Sequence, residues 1–207
     1  MSNPWLNIPL ADYEGHMKSA GVEQLAALSD LFAQALAFCR PASIAVLGIA
    51  GGNGLEHIDG RMTQRVVGLD VNPLYLGVVR ERYSKLSRLE LYCVDLAKGP
   101  VDLEPVELVH AALVFEHAGV GHCLENALSL VAPGGGLSTV LQLPSEVEQD
   151  VAPSQFSSMQ HLRSHFTLIE PKGFRETLES RQFRLQHETR RPLPAGKGFW
   201  MGVFRRE

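Results

Sequence analysis

The chain has 207 residues, of which 19 are Lys or Arg and 23 are Asp or Glu, for a formal net charge of −4. This acidic balance disfavours a nucleic-acid partner, because nucleic-acid-binding surfaces usually leave a basic excess. A hydrophobic fraction of 45% excludes wholesale disorder, and three scattered cysteines exclude a disulfide framework. No apolar run reaches the length of about 18 residues that a membrane span needs. Together these features predict a cytoplasmic protein.

The hydrophobic pattern predicts an irregular stretch over 1–15 and then a regular alternation of elements. Apolar residues recur at helical spacing over 22–38, and Pro41 ends that helix. Short apolar runs typical of buried strands occur at 43–48, 65–69, 89–94, 106–114 and 137–143. Helices are predicted at 55–62, 74–86 and 121–131.

Alternating apolar strands and helices predict an α/β fold with a parallel sheet covered on both faces, limited by right-handed crossovers to doubly wound forms. After a polar stretch at 145–160, the pattern predicts a helix near 173–180 and an antiparallel hairpin of strands at 183–189 and 199–204. The prediction is one domain with a seven-stranded, mostly parallel sheet. Its parts are an N-terminal lid and helix at 1–40, a cofactor-binding core at 43–143, and a substrate-side loop with the hairpin at 144–207.

A dense group of glycines, Gly48, Gly51, Gly52 and Gly54, follows the first strand. Glycine at a strand-to-helix turn accepts a positive φ and lets the backbone approach a ligand closely. Asp70 stands 22 residues after Gly48, at the end of the second strand, where a carboxylate can accept hydrogen bonds from ribose hydroxyls. The spacing indicates a crevice at the carboxyl ends of the strands that binds a nucleotide. The alternative is that the glycines serve only the packing of the turn.

Two common nucleotide-binding patterns do not fit this turn. A P-loop requires a Lys after its last glycine, and none follows here. In the dinucleotide pattern G-x-G-x-x-G, counted from Gly48, Ala50 and Asn53 occupy the other two glycine positions. A nicotinamide-dependent oxidoreductase is therefore disfavoured but stays among the alternatives.

The motifs between Ser43 and Leu143 together resemble the class I S-adenosylmethionine-dependent methyltransferases. The turn GIAGGNG resembles their first motif, with Gly48 at its acidic position and Ala50 at its first glycine. VVGLDVNP resembles their second motif, LYCVDLAKG the third, LVFEHAG the end of the fourth strand, and APGGG the turn before the fifth. In the family, the acid that is missing here helps to hold the methionine end of the cofactor. Ala50 fits the turn if its φ is negative.

The resemblance implies a Rossmann-like fold, S-adenosylmethionine as cofactor and S-adenosylhomocysteine as product, and no metal. It assigns cofactor binding to Gly48, Ala50, Gly52, Gly54, Asp70, Val71, Asp95, Leu96 and Phe115. Asp70 would bind the ribose hydroxyls, and Asp95 would lie near the adenine. Tyr13, His16 and Met17 would belong to a lid over the cofactor and the acceptor.

Methyl transfer from a sulfonium needs chiefly the alignment of the acceptor with the methyl carbon. A general base is needed only when the acceptor must lose a proton, and the candidates are Glu116 and His117 after the fourth strand. The resemblance thus predicts a methyltransferase with a small-molecule acceptor that the sequence does not identify. The alternatives are a non-catalytic S-adenosylmethionine-binding module or partner subunit and, less favoured, the nicotinamide oxidoreductase; a homodimer is left open.

Overall fold

The centre of the molecule is a seven-stranded sheet, and the computed structural model describes residues 3–19, 22–86, 88–144, 155–193 and 196–207. The strands are β1 (Ser43–Leu47), β2 (Arg65–Asp70), β3 (Leu89–Cys93), β4 (Val106–Ala112), β5 (Val131–Leu143), β6 (Phe183–Pro192) and β7 (Gly198–Arg206). They lie in the order β3-β2-β1-β4-β5-β7-β6. Strands β1 to β5 pair in parallel, and β7 lies antiparallel between β5 and β6. This confirms the predicted doubly wound α/β fold with an antiparallel C-terminal hairpin.

Helices cover both faces of this sheet. They are α1 (Leu10–Lys18), α2 (Gln24–Cys39), α3 (Pro73–Arg82), α4 (Phe115–Ala118), α5 (Gly121–Ser129) and α6 (Pro171–Glu179). Successive strand residues point to opposite faces: Ile44 and Val46 of β1 pack with α2 and α3, whereas Ala45 and Leu47 pack with α5 and α6. Because β1 is buried on both sides, its four buried residues, 44–47, are all apolar. None of the helices in the described ranges is long and apolar enough to cross a bilayer.

Three local predictions were wrong. Residues 10–18 form α1 although they show no apolar stripe, because this helix buries only His16 and Met17. The helix predicted at 55–62 is a 3₁₀ helix of Leu55–His57, since the Asp59 carboxylate accepts the Arg61 N–H and stabilises a turn instead. The Pro-Gly-rich segment before 137 lies inside β5, where the register with β4 shifts. Positions 145–154 of the predicted polar stretch lie outside the described residues.

A small group of segments covers the carboxyl ends of the strands. A 3₁₀ helix at Pro4–Asn7, helix α1 and a 3₁₀ helix at Ser157–His165 share a separate apolar cluster around Ile8, Met159 and Leu162. We call residues 3–19 and 155–166 the cap. The Tyr75 hydroxyl donates to the Ile8 carbonyl at 2.8 Å, so the cap is anchored to α3. The strand order reverses between β1 and β4, and open α/β sheets bind ligands at such a switch point.

Candidate active site

A cavity of about 150 Å³ lies between the cap and the carboxyl ends of β1 to β4. Of the residues predicted to form the site, those that line it are Tyr13, His16, Met17, Gly48, Ala50, Asp70, Val71, Asp95, Leu96 and His117. Four others do not line it: Gly52, Gly54, Phe115 and Glu116. The structure therefore brings together two acids at neighbouring strand ends, the start of the glycine turn and part of α1.

The glycine turn has two different roles along its length. Gly48 has a φ of 60°, and a Cβ there would lie 2.9 Å from Cγ2 of Val114, so any side chain at this position would be strained and would require Val114 to shift. A Cβ on Gly52 would meet the Tyr83 ring at 2.6 Å, and one on Gly54 would meet Phe32 at 2.6 Å. The later glycines thus serve the packing of the turn on α2 and α3, while its first residues face the cavity.

Ala50 adopts a φ of +46°, contrary to the negative φ under which it was expected to fit. The cause is its N–H, which donates to Oδ2 of Asp70 at 2.9 Å and fixes the turn against β2. Left-handed backbone is strained for any residue with a Cβ.

We expect Ala50→Gly to raise the free energy of unfolding by about 0.5–1 kcal/mol, because glycine adopts a positive φ without this strain. Ala97→Gly is the matched control, since Ala97 is not among the positive-φ residues and glycine there should destabilise the fold. Urea denaturation of both variants measures the effect. A loss of stability in Ala50→Gly similar to that in Ala97→Gly would contradict the strain.

Asp70 is held by the backbone at the end of β2. Its Oδ1 accepts the Asn72 N–H at 2.8 Å, in addition to the Ala50 N–H on Oδ2. Burial raises the pKa of Asp70, and the backbone hydrogen bonds oppose this rise. A carboxylate oxygen can accept two hydrogen bonds, so this oriented carboxylate can also receive hydroxyl donors from the cavity.

Asp95, after β3, is less buried than Asp70 and is already bound to polar groups. Its Oδ2 accepts from Lys98 Nζ at 3.1 Å and from Asn3 Nδ2 at 3.3 Å. Burial would raise the pKa of Asp95, but the hydrogen bonds from Lys98, Asn3 and the Ala97 backbone outweigh it and leave the pKa below its usual value. Asp95 therefore stays charged and ties the cap to the strand end.

The short helix α4 directs its first two side chains away from the cavity. Phe115 is buried against Phe174 of α6, with ring centroids 5.1 Å apart. Glu116 is also buried, and its Oε1 accepts the Gln142 N–H of β5 at 2.8 Å. Its Oε2 has no hydrogen-bond partner among the described residues. Glu116 is thus placed to support the end of β5 and does not reach an acceptor in the cavity.

Glu116 should make stability depend on pH. Burial raises its pKa from 4.5 to about 7, although the backbone hydrogen bonds oppose the shift. The folded state therefore holds this proton more tightly than the unfolded state, and the stabilisation present below pH 4.5 is lost as the pH rises through 7. We expect wild type to lose on the order of 3 kcal/mol relative to Glu116→Gln over this range.

Urea denaturation of wild type and Glu116→Gln at pH 5 and pH 8 measures this difference. Glu104→Gln is the control, because Glu104 is exposed and should follow wild type at both values. Parallel behaviour of wild type and Glu116→Gln would contradict a buried carboxyl group that resists ionisation.

His117, one residue further, lines the cavity. Its Nδ1 is buried and has no hydrogen-bond partner among the described residues. Burial, with a smaller contribution from charge repulsion by His165, lowers the pKa of His117 to about 4. At neutral pH the imidazole is therefore uncharged.

Several cavity residues escaped the sequence analysis because they are remote from the motifs. Trp5 and Phe166 of the cap line the cavity, as does Lys197 from the connection between β6 and β7. Asn72 donates from Nδ2 to the Trp5 carbonyl at 2.9 Å and so positions the first cap segment. The only signal in the sequence was the Asn72-Pro73 pair, which predicts a helix start. Among the described residues, no group of three or more His, Cys, Asp or Glu could hold a metal ion.

Comparison with known proteins finds one family model that matches part of the chain. Residues 44–135 match the family model for a methyltransferase domain, and no curated protein matches. The N-methyltransferase NodS from Bradyrhizobium japonicum WM9, in complex with S-adenosyl-L-homocysteine, has a TM-score of 0.73 at 16% identity, with 99% of each chain covered.

Two further solved structures share this fold. Magnesium protoporphyrin IX methyltransferase (ChlM) from Synechocystis PCC 6803, with bound S-adenosylhomocysteine, has a TM-score of 0.69 at 12% identity, covering 99% of this chain and 97% of that one. The [4+2]-cyclase SpnF has a TM-score of 0.70 at 13% identity, covering 96% of this chain and 91% of that one. The described part of the chain therefore shares the fold of these solved structures.

Proposed function

We propose that this chain, which carries a class I methyltransferase domain, transfers a methyl group from S-adenosylmethionine to a small-molecule acceptor. The observation that carries the proposal is the cavity at the switch point, where Asp70 and Asp95 lie at successive strand ends beside Gly48 and Ala50. S-adenosylhomocysteine, the product of the cofactor, is bound in the similar structures of NodS and ChlM.

The cofactor would lie along the strand ends. Asp70 would accept hydrogen bonds from the ribose hydroxyls, and Val71, Asp95 and Leu96 would surround the adenine. The methionine end would face Gly48 and Ala50. Because Gly48 supplies no acid at the position where the family pattern has one, we assign that end to His16 and Gln24, which are buried and line the cavity.

The acceptor would enter under the cap. His117 is the base that we propose for an acceptor that must lose a proton, because it is uncharged, lines the cavity and has an Nδ1 without a hydrogen-bond partner among the described residues. The lid residues Tyr13 and Met17 would close the cavity over the sulfonium. Excluding water in this way would strengthen electrostatic interactions in the site.

The cellular setting is part of the same proposal. The net charge of −4 supports a small molecule over a nucleic acid as the acceptor. The free thiols of Cys39, Cys93 and Cys123 support a cytoplasmic location, where disulfides are rare. The division into a lid, a core and a substrate-side region is supported by the cap, because one cap segment precedes the core in the chain and the other follows it.

A second candidate is a module that binds S-adenosylmethionine without transferring its methyl group. Gly48 at the acidic position favours it, as does the [4+2]-cyclase SpnF, whose fold is similar. Incubation of the isolated chain with methyl-labelled S-adenosylmethionine and a panel of small acceptors separates the two functions. Label transferred to an acceptor supports the methyltransferase; binding of S-adenosylmethionine with no transfer to any acceptor supports the second candidate.

A further inference from the structure

We propose that the methyl acceptor is a planar aromatic or heteroaromatic molecule with an O–H or N–H group on its ring; this rests on the proposed methyltransferase function. The inference starts from the four rings that line the cavity, Trp5, Tyr13, His117 and Phe166, which we call the aromatic wall. They come from separate parts of the chain. A ring-shaped acceptor is the occupant that such a wall fits best.

The rings of the aromatic wall contact one another at steep angles. The Trp5 ring lies 5.0 Å from His117 at 89° and 5.5 Å from Tyr13 at 78°, and Phe166 lies 5.2 Å from His117 at 65°. Neighbours at such angles cannot all turn their faces to the cavity, so ring edges take part in the wall. Aromatic pairs prefer offset-stacked and edge-to-face arrangements, and a ring edge of the wall can meet the face of an inserted ring.

The remaining lining of the cavity includes both charged and apolar side chains. The carboxylates of Asp70 and Asp95 are at the strand ends, whereas the wall is completed by the apolar side chains of Met159 and Leu162. Its buried polar atom without a described partner is Nδ1 of His117. Because a buried nitrogen of this kind favours a hydrogen-bonding partner, we infer that the acceptor carries an O–H or N–H group that reaches it.

A cationic acceptor fits this site less well, although aromatic rings also bind cations. An alkylammonium group would bring a second positive charge beside the sulfonium of the cofactor. Like charges at such short range repel each other. An acceptor that is neutral before the reaction avoids this repulsion.

The reaction on such an acceptor balances without a further reagent. The O–H or N–H proton passes to Nδ1 of His117, and the electron pair left on the acceptor atom forms a bond to the methyl carbon. The bond between that carbon and the sulfur breaks, and its electron pair returns to the sulfur. The products are the methylated acceptor, S-adenosylhomocysteine with a neutral thioether sulfur, and protonated His117.

The test compares aromatic probes with their saturated counterparts on the S-adenosylhomocysteine complex of the full chain. The pairs are phenol with cyclohexanol and 2-naphthol with decahydro-2-naphthol, titrated by calorimetry. In wild type we expect at least one aromatic probe to bind roughly three- to tenfold more tightly than its counterpart. This preference should be lost in Trp5→Leu and Phe166→Leu. It should persist in Phe38→Leu, since Phe38 is half exposed and stacks on His187 outside the cavity.

The hydroxyl is tested by 2-methoxynaphthalene, which lacks the donor. We expect it to bind more weakly than 2-naphthol in wild type and equally in His117→Phe. The inference is overturned if neither aromatic probe binds, if each saturated probe binds as well as its aromatic partner, if the preference survives in both leucine variants, or if phenyltrimethylammonium binds more tightly than the phenols. If the chain binds no S-adenosylhomocysteine, the proposed function itself is wrong. The failure of the proposed function is thus distinguished from the failure of the inference about the acceptor.

Discussion

Replacing Asp70 with Ala is expected to weaken S-adenosylhomocysteine binding by roughly 10- to 150-fold, the equivalent of about 1.5–3 kcal/mol for lost hydrogen bonds to a charged group. The carboxylate is buried and held in one orientation by the Ala50 and Asn72 N–H groups. Burial raises its pKa, and hydroxyl donors from a ribose would favour the charged form again. A bound nucleoside therefore gains more binding free energy from this buried carboxylate than it would from a carboxylate exposed to water.

The calorimetric comparison needs two safeguards. Asp102→Ala removes the same charge at an exposed position and should leave the affinity of wild type unchanged. Thermal unfolding of Asp70→Ala shows whether loss of the contact to Ala50 unfolds the glycine turn. A folded Asp70→Ala variant with the affinity of wild type would remove the ribose assignment.

Replacing His117 with Gln is expected to lower turnover by roughly 100- to 10,000-fold while S-adenosylhomocysteine still binds, because positioned general bases contribute this much to the rate. Glutamine preserves polarity and approximate size but cannot take up the proton. Steady-state assays with an acceptor found in the transfer screen measure the change. His122→Gln is the control, because His122 lies exposed on α5.

The pH profile distinguishes a base from a merely structural histidine. Since burial lowers the pKa of His117 to about 4, the uncharged form persists well below the usual titration range. We expect the acid limb of kcat/KM to fall near pH 4 and to be absent from the residual activity of His117→Gln. An acid limb near 6.5, or equal turnover in wild type and the variant, would contradict the proposed role.

The fold could be predicted from the sequence because its central strands are buried on both faces. That burial requires uninterrupted apolar runs such as residues 44–47 of β1, and such runs are visible without a structure. The cap could not be predicted in this way. Its contacts join positions far apart in the chain: Ser158 donates to Asp12 across 146 residues, and Tyr75 donates to Ile8 across 67.

The candidate site was predictable only where a strand end fixes the residue. Asp70 and Asp95 follow β2 and β3 directly, so strand alternation places them at one edge of the sheet. After β4 the chain turns into a helix, in which successive side chains point about 100° apart. For this reason the sequence locates Phe115, Glu116 and His117 near the site but does not show which of them faces the cavity. In the structure, His117 is the one of these three that lines it.

The central claim is that the crevice binds S-adenosylmethionine, and calorimetric titration of the wild-type chain with S-adenosylhomocysteine and, separately, with NADH tests it most directly. We expect saturable binding of one S-adenosylhomocysteine per chain and no heat of binding from NADH. Saturable binding of NADH, with no heat from S-adenosylhomocysteine or S-adenosylmethionine, would contradict the methyltransferase assignment. It would favour a nicotinamide-dependent oxidoreductase instead.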